Sequence, residues 1–328
     1  MITTFPERLS GHDAYGGAES RLCKTQSFRG AAERDSCLSK ADQSFGRIGR
    51  YRQKSGGLCN LPKGKAYYQH LVRSMVGTGR SMKNILKLLD QTIEDNKNIM
   101  SDLLVKDGSI YEKALSVKYP EEEPDKTLQY LKKQIKKSFP DLPSEVSCQM
   151  KYVDKSLEEH ISPAFYLTTP LDAYQDNVIY LNGNAKYDLT KAFTTIAHEG
   201  YPGHLYQTNY FLSTNPSPLR TFLHCDGYDE GWGTYAQLYS YNFTEFKDVD
   251  EKTQAQLRQL YRDNDLLSLS LSSLSDLYVN YKNYDENALA DYLKTYGIDK
   301  SATKQLYQYV IENPATYLSY SIGYYELN

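Results

Sequence analysis

The chain has 328 residues, 40% of them hydrophobic and 24% charged, which is enough apolar material for one large domain or two small ones. Its net charge of −3 and pI of about 6.1 give no electrostatic reason to expect nucleic acid as a partner. No apolar run is long enough to form a membrane segment, and the N-terminus lacks the apolar core of a signal peptide. We therefore expect a soluble, cytoplasmic protein, or an exported one if an upstream signal has been lost.

The five cysteines also favour a reducing compartment. Their number is odd and no CxxC pair occurs, so they do not form the pattern of a disulfide scaffold. We predict free thiols.

Residues 1–55 are rich in Gly, Ser, Arg and Lys and show no sustained apolar period. Such segments rarely bury enough surface to offset the chain entropy lost on ordering. We predict a disordered or poorly packed arm over 1–55, followed by a helical domain over 56–328.

From residue 81 to about residue 137 the spacing of apolar residues predicts helices. One apolar stripe is formed by Met82, Ile85, Leu86 and Leu89, and another by Leu128, Leu131 and Ile135. The polar residues 120–125 form the predicted joint between the helical segments. Between residues 145 and 182 the pattern changes, and the segments 164–169 and 178–181 predict two or more β-strands.

The segment from Ala197 to His204 reads AHEGYPGH and follows a run, 188–196, with the spacing of a buried helix face. Two histidines and a carboxylate are what a hydrolytic zinc site needs, because neutral imidazoles bind the ion and an unligated carboxylate accepts a proton from the bound water. The usual HExxH spacing puts both histidines on one helix face, whereas six residues correspond to about 600° of rotation on a regular helix. Because Pro202 and the glycines on either side of it permit a break, we predict a bulged or broken helix between His198 and His204. An isolated His–Glu pair followed by Pro-Gly is also a common surface pattern at a helix end.

A second helix is predicted around residues 229–237, with Trp232, Tyr235 and Tyr239 on its apolar side. Glu230 is placed in the first turn of this helix, on the face opposite the apolar side, from which a carboxylate can reach a neighbouring helix. Catalytic zinc sites commonly have two histidine ligands and one glutamate ligand, so Glu230 is the predicted third ligand. Alternatively, Glu230 is an acidic residue that only stabilises the helix N-terminus.

The remaining sequence predicts four more helices. They cover residues 252–261, 266–278, 286–296 and 301–311.

The combination of HEGYPGH over 198–204 with Glu230-Gly231-Trp232 resembles the bacterial domain-of-unknown-function family numbered 885. Blocks near residues 56–68, 163–182 and 314–323 resemble that family in the same order. The resemblance implies a mainly α, zincin-like metallopeptidase domain with a small β element that forms one wall of the cleft. It also implies that the chain lacks terminal portions present in family members, and that Gln237 occupies the position of a second family carboxylate.

The last block, 314–323, has an implied role in catalysis. Hydrolysis of an amide places negative charge on the carbonyl oxygen, and a phenol donor directed at that oxygen lowers the barrier. The resemblance implies this role for Tyr320, with Tyr317 as a second choice, although both tyrosines also fit a packed helix.

The resulting hypothesis is a zinc-dependent metallopeptidase that cleaves peptide bonds through a metal-activated water. His198, His204 and Glu230 bind Zn²⁺, Glu199 is the general base, and Tyr320 stabilises the oxyanion. The partner is a peptide or small-molecule substrate, with no nucleic acid and no membrane segment. Two alternatives stay open: an inactive metal-binding remnant that acts as an interaction module, and a metallohydrolase of esters or non-peptide amides.

Overall fold

The computed structural model describes residues 56–328. The arm predicted over residues 1–55, together with Cys23 and Cys37, lies outside the described residues. Over 56–328 the protein is mainly helical, with twelve α-helices and one three-stranded sheet. The predicted fold class, mainly α with a small β element, is confirmed at this level.

In the described part of the chain, twelve α-helices follow one another, with the longest connection, which contains the sheet, between the fourth and the fifth. They are α1 (Gly64–Met75), α2 (Met82–Lys106), α3 (Ile110–Ser116), α4 (Pro124–Gln134), α5 (Phe193–Glu199), α6 (His204–Ser213), α7 (Pro218–Phe222), α8 (Asp226–Ser240), α9 (Glu251–Asn280), α10 (Glu286–Lys294), α11 (Lys300–Glu312) and α12 (Thr316–Leu327).

The sheet lies between α4 and α5 in the chain. Its strands are β1 (Ser147–Tyr152), β2 (Ala164–Leu167) and β3 (Asp176–Leu181), in the spatial order β1-β3-β2. Strand β1 pairs with β3 in parallel, and β2 pairs with β3 in antiparallel orientation. Within this sheet β2 is therefore an edge strand.

The predictions for residues 81–182 are confirmed in outline. Helix α2 begins after Ser81, whose hydroxyl accepts a hydrogen bond from the backbone N–H of Asn84, and buries three of the four residues of the predicted stripe. The joint predicted at 120–125 falls between α3 and α4, although α4 already begins at Pro124. Proline suits this first helical position because it has no N–H to leave unsatisfied.

Two boundaries differ from the sequence predictions. The helix before His198 begins at Phe193 and is preceded by one 3₁₀ turn over Leu189–Lys191, so the run 188–196 is not a single helix. The helices predicted at 252–261 and 266–278 are one continuous helix, α9, whose first turn is capped by Asp250. Asp263, Asn264 and Asp265 lie between the two predicted segments. They are buried, and no Pro or Gly interrupts the helix there.

Helices α8 and α12 approach each other closely through glycines. A Cβ added to Gly231 would lie 2.4 Å from the backbone carbon of Gly323, and one added to Gly323 would lie 2.1 Å from the carbonyl oxygen of Gly227. Only residues without a side chain allow backbones this close. This contact joins the helix that carries Glu230 to the helix that carries Tyr320.

Two further observations concern composition. Cys59, Cys148 and Cys225 are free thiols, as predicted for these three residues. Within residues 56–328, none of the helices combines the length and the apolar character required to cross a bilayer.

Candidate metal centre

The two histidines of the HEGYPGH segment belong to different helices. Helix α5 ends at Glu199 and α6 begins at His204, and the Tyr201–Pro202 peptide bond between them is cis. The turn is tight at Gly203, where an added Cβ would lie 1.7 Å from the carbonyl oxygen of His198. The predicted break between His198 and His204 is therefore confirmed, and Gly203 is one residue that permits it.

The break brings both imidazoles to one carboxylate. Atom Oε2 of Glu230 lies 3.3 Å from Nε2 of His198 and 3.6 Å from Nε2 of His204. The two imidazole rings are nearly perpendicular, with centroids 4.7 Å apart. All three predicted ligands therefore come together, with one ligand atom from each within 4.8 Å of the others.

The donor set fits a zinc ion. Tetrahedral coordination at about 2.1 Å places any two ligand atoms about 3.4 Å apart, and the two measured nitrogen–oxygen distances lie close to this value. Oxygen Oε2 of Glu230 is buried and has no hydrogen-bond partner among the described residues. A buried carboxylate needs a positive partner, and either a protonated imidazole or a cation bound at this point would provide one.

Charge is strongly coupled within this group. Burial raises the pKa of Glu230, but the neighbouring His198 and His204 outweigh burial and hold the pKa well below its usual range. For His204, burial lowers the pKa, yet Glu230, Glu199 and Asp229 together raise it to about 9. The proton on His204 balances the carboxylate, and a metal ion bound at this site would have to displace it.

Glu230 does not lie in the first turn of its helix, as the sequence was taken to predict. Helix α8 begins at Asp226, four residues before Glu230, which places Glu230 in the second turn. Interaction with the helix dipole falls off within the first turn, so helix stabilisation alone does not explain this residue. The start of the helix was missed because Cys225, at the N-cap position, provides no side-chain cap.

Gly233 contributes to the position of the His198 imidazole and was not identified from the sequence. It lies on α8 one turn after Glu230, and a Cβ added there would be 2.6 Å from both Cε1 and Nε2 of His198. The glycine therefore lets the imidazole pack against the helix that supplies the carboxylate. The sequence signal was a glycine inside a predicted helix, which usually costs stability and so calls for a packing reason.

Glu199 lies beside the ligand group and is oriented by the sheet. Its Oε2 accepts a hydrogen bond of 2.8 Å from the backbone N–H of Tyr166 in edge strand β2. The Tyr166 hydroxyl donates to Asn177 on β3, and Asn209 on α6 donates to the same oxygen. Burial raises the pKa of Glu199. Tyr166 was not identified from the sequence, because a backbone donor leaves no residue-type signal.

The two tyrosines of α12 both line a cavity next to Glu199. The ring of Tyr320 stacks on that of His198 with centroids 6.0 Å apart, and burial, followed by the charge of Glu230, raises its pKa well above the usual value. Tyr317 is buried, and its hydroxyl has no hydrogen-bond partner among the described residues.

The side chain of Gln237, on α8, is hydrogen-bonded to an acid on α9. Its Nε2 donates a 3.0 Å hydrogen bond to Oδ2 of Asp265 on α9, and the Tyr241 hydroxyl donates to the same oxygen at 2.9 Å. Asp265 was not identified from the sequence.

The sequence profile of a family described as "Bacterial protein of unknown function (DUF885)" matches residues 31–328. No curated protein matches the chain.

Two solved structures share the fold. One is described as a "putative lipoprotein" from Colwellia psychrerythraea, with 19% identity, a TM-score of 0.67, and coverage of 83% of this chain and 49% of that one. The other is described as a "putative lipoprotein of unknown function" from Shewanella oneidensis. It is 15% identical, with a TM-score of 0.62, and the match covers 92% of this chain and 61% of that one. The chain thus spans about half to three-fifths of the length of these relatives.

Proposed function

The chain belongs to the family of bacterial proteins of unknown function numbered 885, and we propose that it is a zinc-dependent hydrolase of the zincin-like metallopeptidase type. The observation that carries the proposal is the convergence of His198, His204 and Glu230 on one point, beside the unligated carboxylate of Glu199.

His198, His204 and Glu230 would hold the ion, through two imidazole nitrogens and one carboxylate oxygen. When bound, zinc supplies a Lewis acid that lowers the pKa of water and polarises a carbonyl. The imidazoles must be neutral for this, so loading displaces the proton that His204 carries in the metal-free protein.

Glu199 is the proposed general base. Its carboxylate is held by the Tyr166 N–H and contributes no atom to the ligand group, so it can accept a proton from water. Burial raises its pKa, which moves it towards the operating pH, where a general base works best.

Tyr320 is the proposed oxyanion donor. Because its pKa is raised well above the usual value, the phenol stays protonated and able to donate a hydrogen bond. Its ring lies against His198, and its hydroxyl interacts with the carboxylate of Glu230. A single donor of this kind typically contributes about 10²- to 10³-fold to turnover.

A peptide is the favoured substrate because of the position of β2. One side of this strand pairs with β3, and on the other side the N–H of Tyr166 points at Glu199. The outer edge of β2 therefore faces the proposed general base. An extended peptide could add to such an edge through its backbone, with the scissile bond beside Glu199.

The two solved relatives also bear on location. Both carry the description "putative lipoprotein", and lipoproteins are exported. This favours the exported alternative for this chain over a cytoplasmic one.

The test is the Glu199→Gln variant, compared with Glu94→Gln on the exposed face of α2. We expect Glu199→Gln to retain one zinc per chain and to lose hydrolysis of a peptide library, because it removes the base and leaves the ligands unchanged. Glu94→Gln should match the parent in both respects. Full hydrolysis by Glu199→Gln would contradict the mechanism. Stoichiometric zinc with no hydrolysis in the parent would favour the inactive remnant, and cleavage of esters alone would favour the non-peptide alternative.

A further inference from the structure

The cavity next to Glu199 extends away from the ligand group towards α9. Its volume is about 160 Å³, and its walls come from α5, α8, α9, α12 and the loop before β2. A cavity of about 150 Å³ is large enough to hold a benzene ring, so this one can take a single amino-acid side chain or a terminal residue.

Helix α9 forms a long wall of this cavity. Asp265, Ser268 and Ser272 follow one another at helical spacing along it, and Leu269 lies between them. Asp265 and Ser272 are seven residues apart, which corresponds to about 10 Å along the helix axis. Asp265 therefore marks one end of the wall. The other end lies near Tyr317, whose backbone oxygen accepts a hydrogen bond from Ser273.

The carboxylate side chains of the cavity come from Asp265 and Glu199. Its lining also includes the imidazole of His198, and no Lys or Arg side chain contributes to the lining that residues 56–328 provide. Asp265 is only 7% exposed, and its Oδ2 is fixed by the donors Gln237 and Tyr241. A cationic group entering the cavity would meet a positioned carboxylate, whereas an anionic group would be repelled in surroundings of low dielectric constant.

We infer that this cavity is a substrate subsite which selects a cationic group, an ammonium or guanidinium, through the carboxylate of Asp265. The inference rests on the proposed function, since it places the cation of a substrate next to the bond attacked with help from Glu199. Two sources have this chemistry: the free amino terminus of a peptide and a basic side chain.

The test measures binding in chelator-treated full-length protein, so that neither metal nor turnover is needed. Three probes are titrated calorimetrically at pH 7: leucinamide, which has only an α-ammonium, N-acetyl-lysinamide, which has only a side-chain ammonium, and the neutral N-acetyl-norleucinamide. The same titrations are made on Asp265→Asn, which removes the charge and leaves an oxygen to accept from Gln237 and Tyr241. Asp263→Asn is the matched control, because Asp263 is also a buried acid on the same helix and is not among the residues that line the cavity.

We expect at least one cationic probe to bind the parent about 10- to 150-fold more tightly than the neutral probe, the range expected for one charged hydrogen bond. This preference should vanish in Asp265→Asn and persist in Asp263→Asn. Whichever cation is preferred identifies the source. The inference is overturned if the parent binds all three probes equally, or if the preference persists in folded Asp265→Asn.

If circular dichroism shows that Asp265→Asn does not fold, the titrations of the parent still test the inference. Tighter binding of a cationic probe than of the neutral probe supports the subsite, and equal or weaker binding overturns it. A cation preference without any peptide hydrolysis would leave the subsite standing and remove the proposed function. Peptide hydrolysis without any cation preference would support the proposed function and remove the subsite.

Discussion

Replacing Gly233 with alanine tests whether the close contact between α8 and His198 holds a metal ligand in place. The added Cβ would lie 2.6 Å from Nε2 and Cε1 of His198, about 0.8 Å closer than the 3.4 Å at which ordinary van der Waals contact begins. Because the backbone of α8 is fixed by its close packing on α12, we expect the imidazole to move. Zinc–ligand distances tolerate changes of only about 0.2 Å, so this displacement should disrupt the site.

The expected loss in zinc affinity is at least 10- to 100-fold, the range seen when groups that orient a ligand are removed. Folding should change much less. Alanine gains up to about 1 kcal/mol over glycine within a helix, and overpacking costs about 1–3 kcal/mol, so the net loss in the free energy of unfolding should stay below about 3 kcal/mol.

The assay is a zinc titration against a competing chelator, combined with urea unfolding of the metal-free protein. Gly231→Ala, two residues earlier, is the comparison, because its Cβ would meet the backbone of Gly323 and not a ligand side chain. Gly231→Ala should lower the free energy of unfolding, while its folded molecules should bind zinc about as tightly as the parent. Folded Gly233→Ala that bound zinc as tightly as the parent would refute the reasoning.

Three further predictions concern charge and hydrogen bonding. Because the pKa of His204 is raised to about 9 in the metal-free protein, zinc affinity should increase about tenfold per pH unit between pH 7 and about 9, and a chelator titration showing no pH dependence would contradict this. Tyr320→Phe should keep zinc and lower kcat about 10²- to 10³-fold in steady-state assays, and unchanged kcat would exclude the oxyanion role. Tyr68 donates a 2.8 Å hydrogen bond to buried Asp276, whose pKa is raised by burial to about 7. Bonds to ionised acceptors are about twice as strong, so Tyr68→Phe should cost more unfolding free energy at pH 8 than at pH 5, and urea curves with equal costs would contradict this.

The helix break was accessible from sequence because it depends on local chemistry. Pro202 and the flanking glycines prevent a regular helix between the histidines, whatever the rest of the chain does. The regular apolar stripes of α2 and α4 likewise needed only local spacing.

Long-range packing could not be deduced in the same way. The polar residues Asp263 to Asp265 look like a gap between two helices, because the sequence does not show that the surrounding structure buries them. The contact of Gly233 with His198 and the bond from the Tyr166 N–H to Glu199 both join segments more than 30 residues apart in the chain. Such contacts depend on the tertiary arrangement, and the residue types involved give little sign of them.

The central claim is that His198, His204 and Glu230 bind one zinc ion together. The most direct measurement is the zinc-to-protein ratio after chelator treatment, reloading and gel filtration, for the parent and for single alanine variants of the three residues. We predict one zinc per chain in the parent and a large loss in each variant, with circular dichroism unchanged. Full zinc occupancy in a folded variant, or none in the folded parent, would contradict the account.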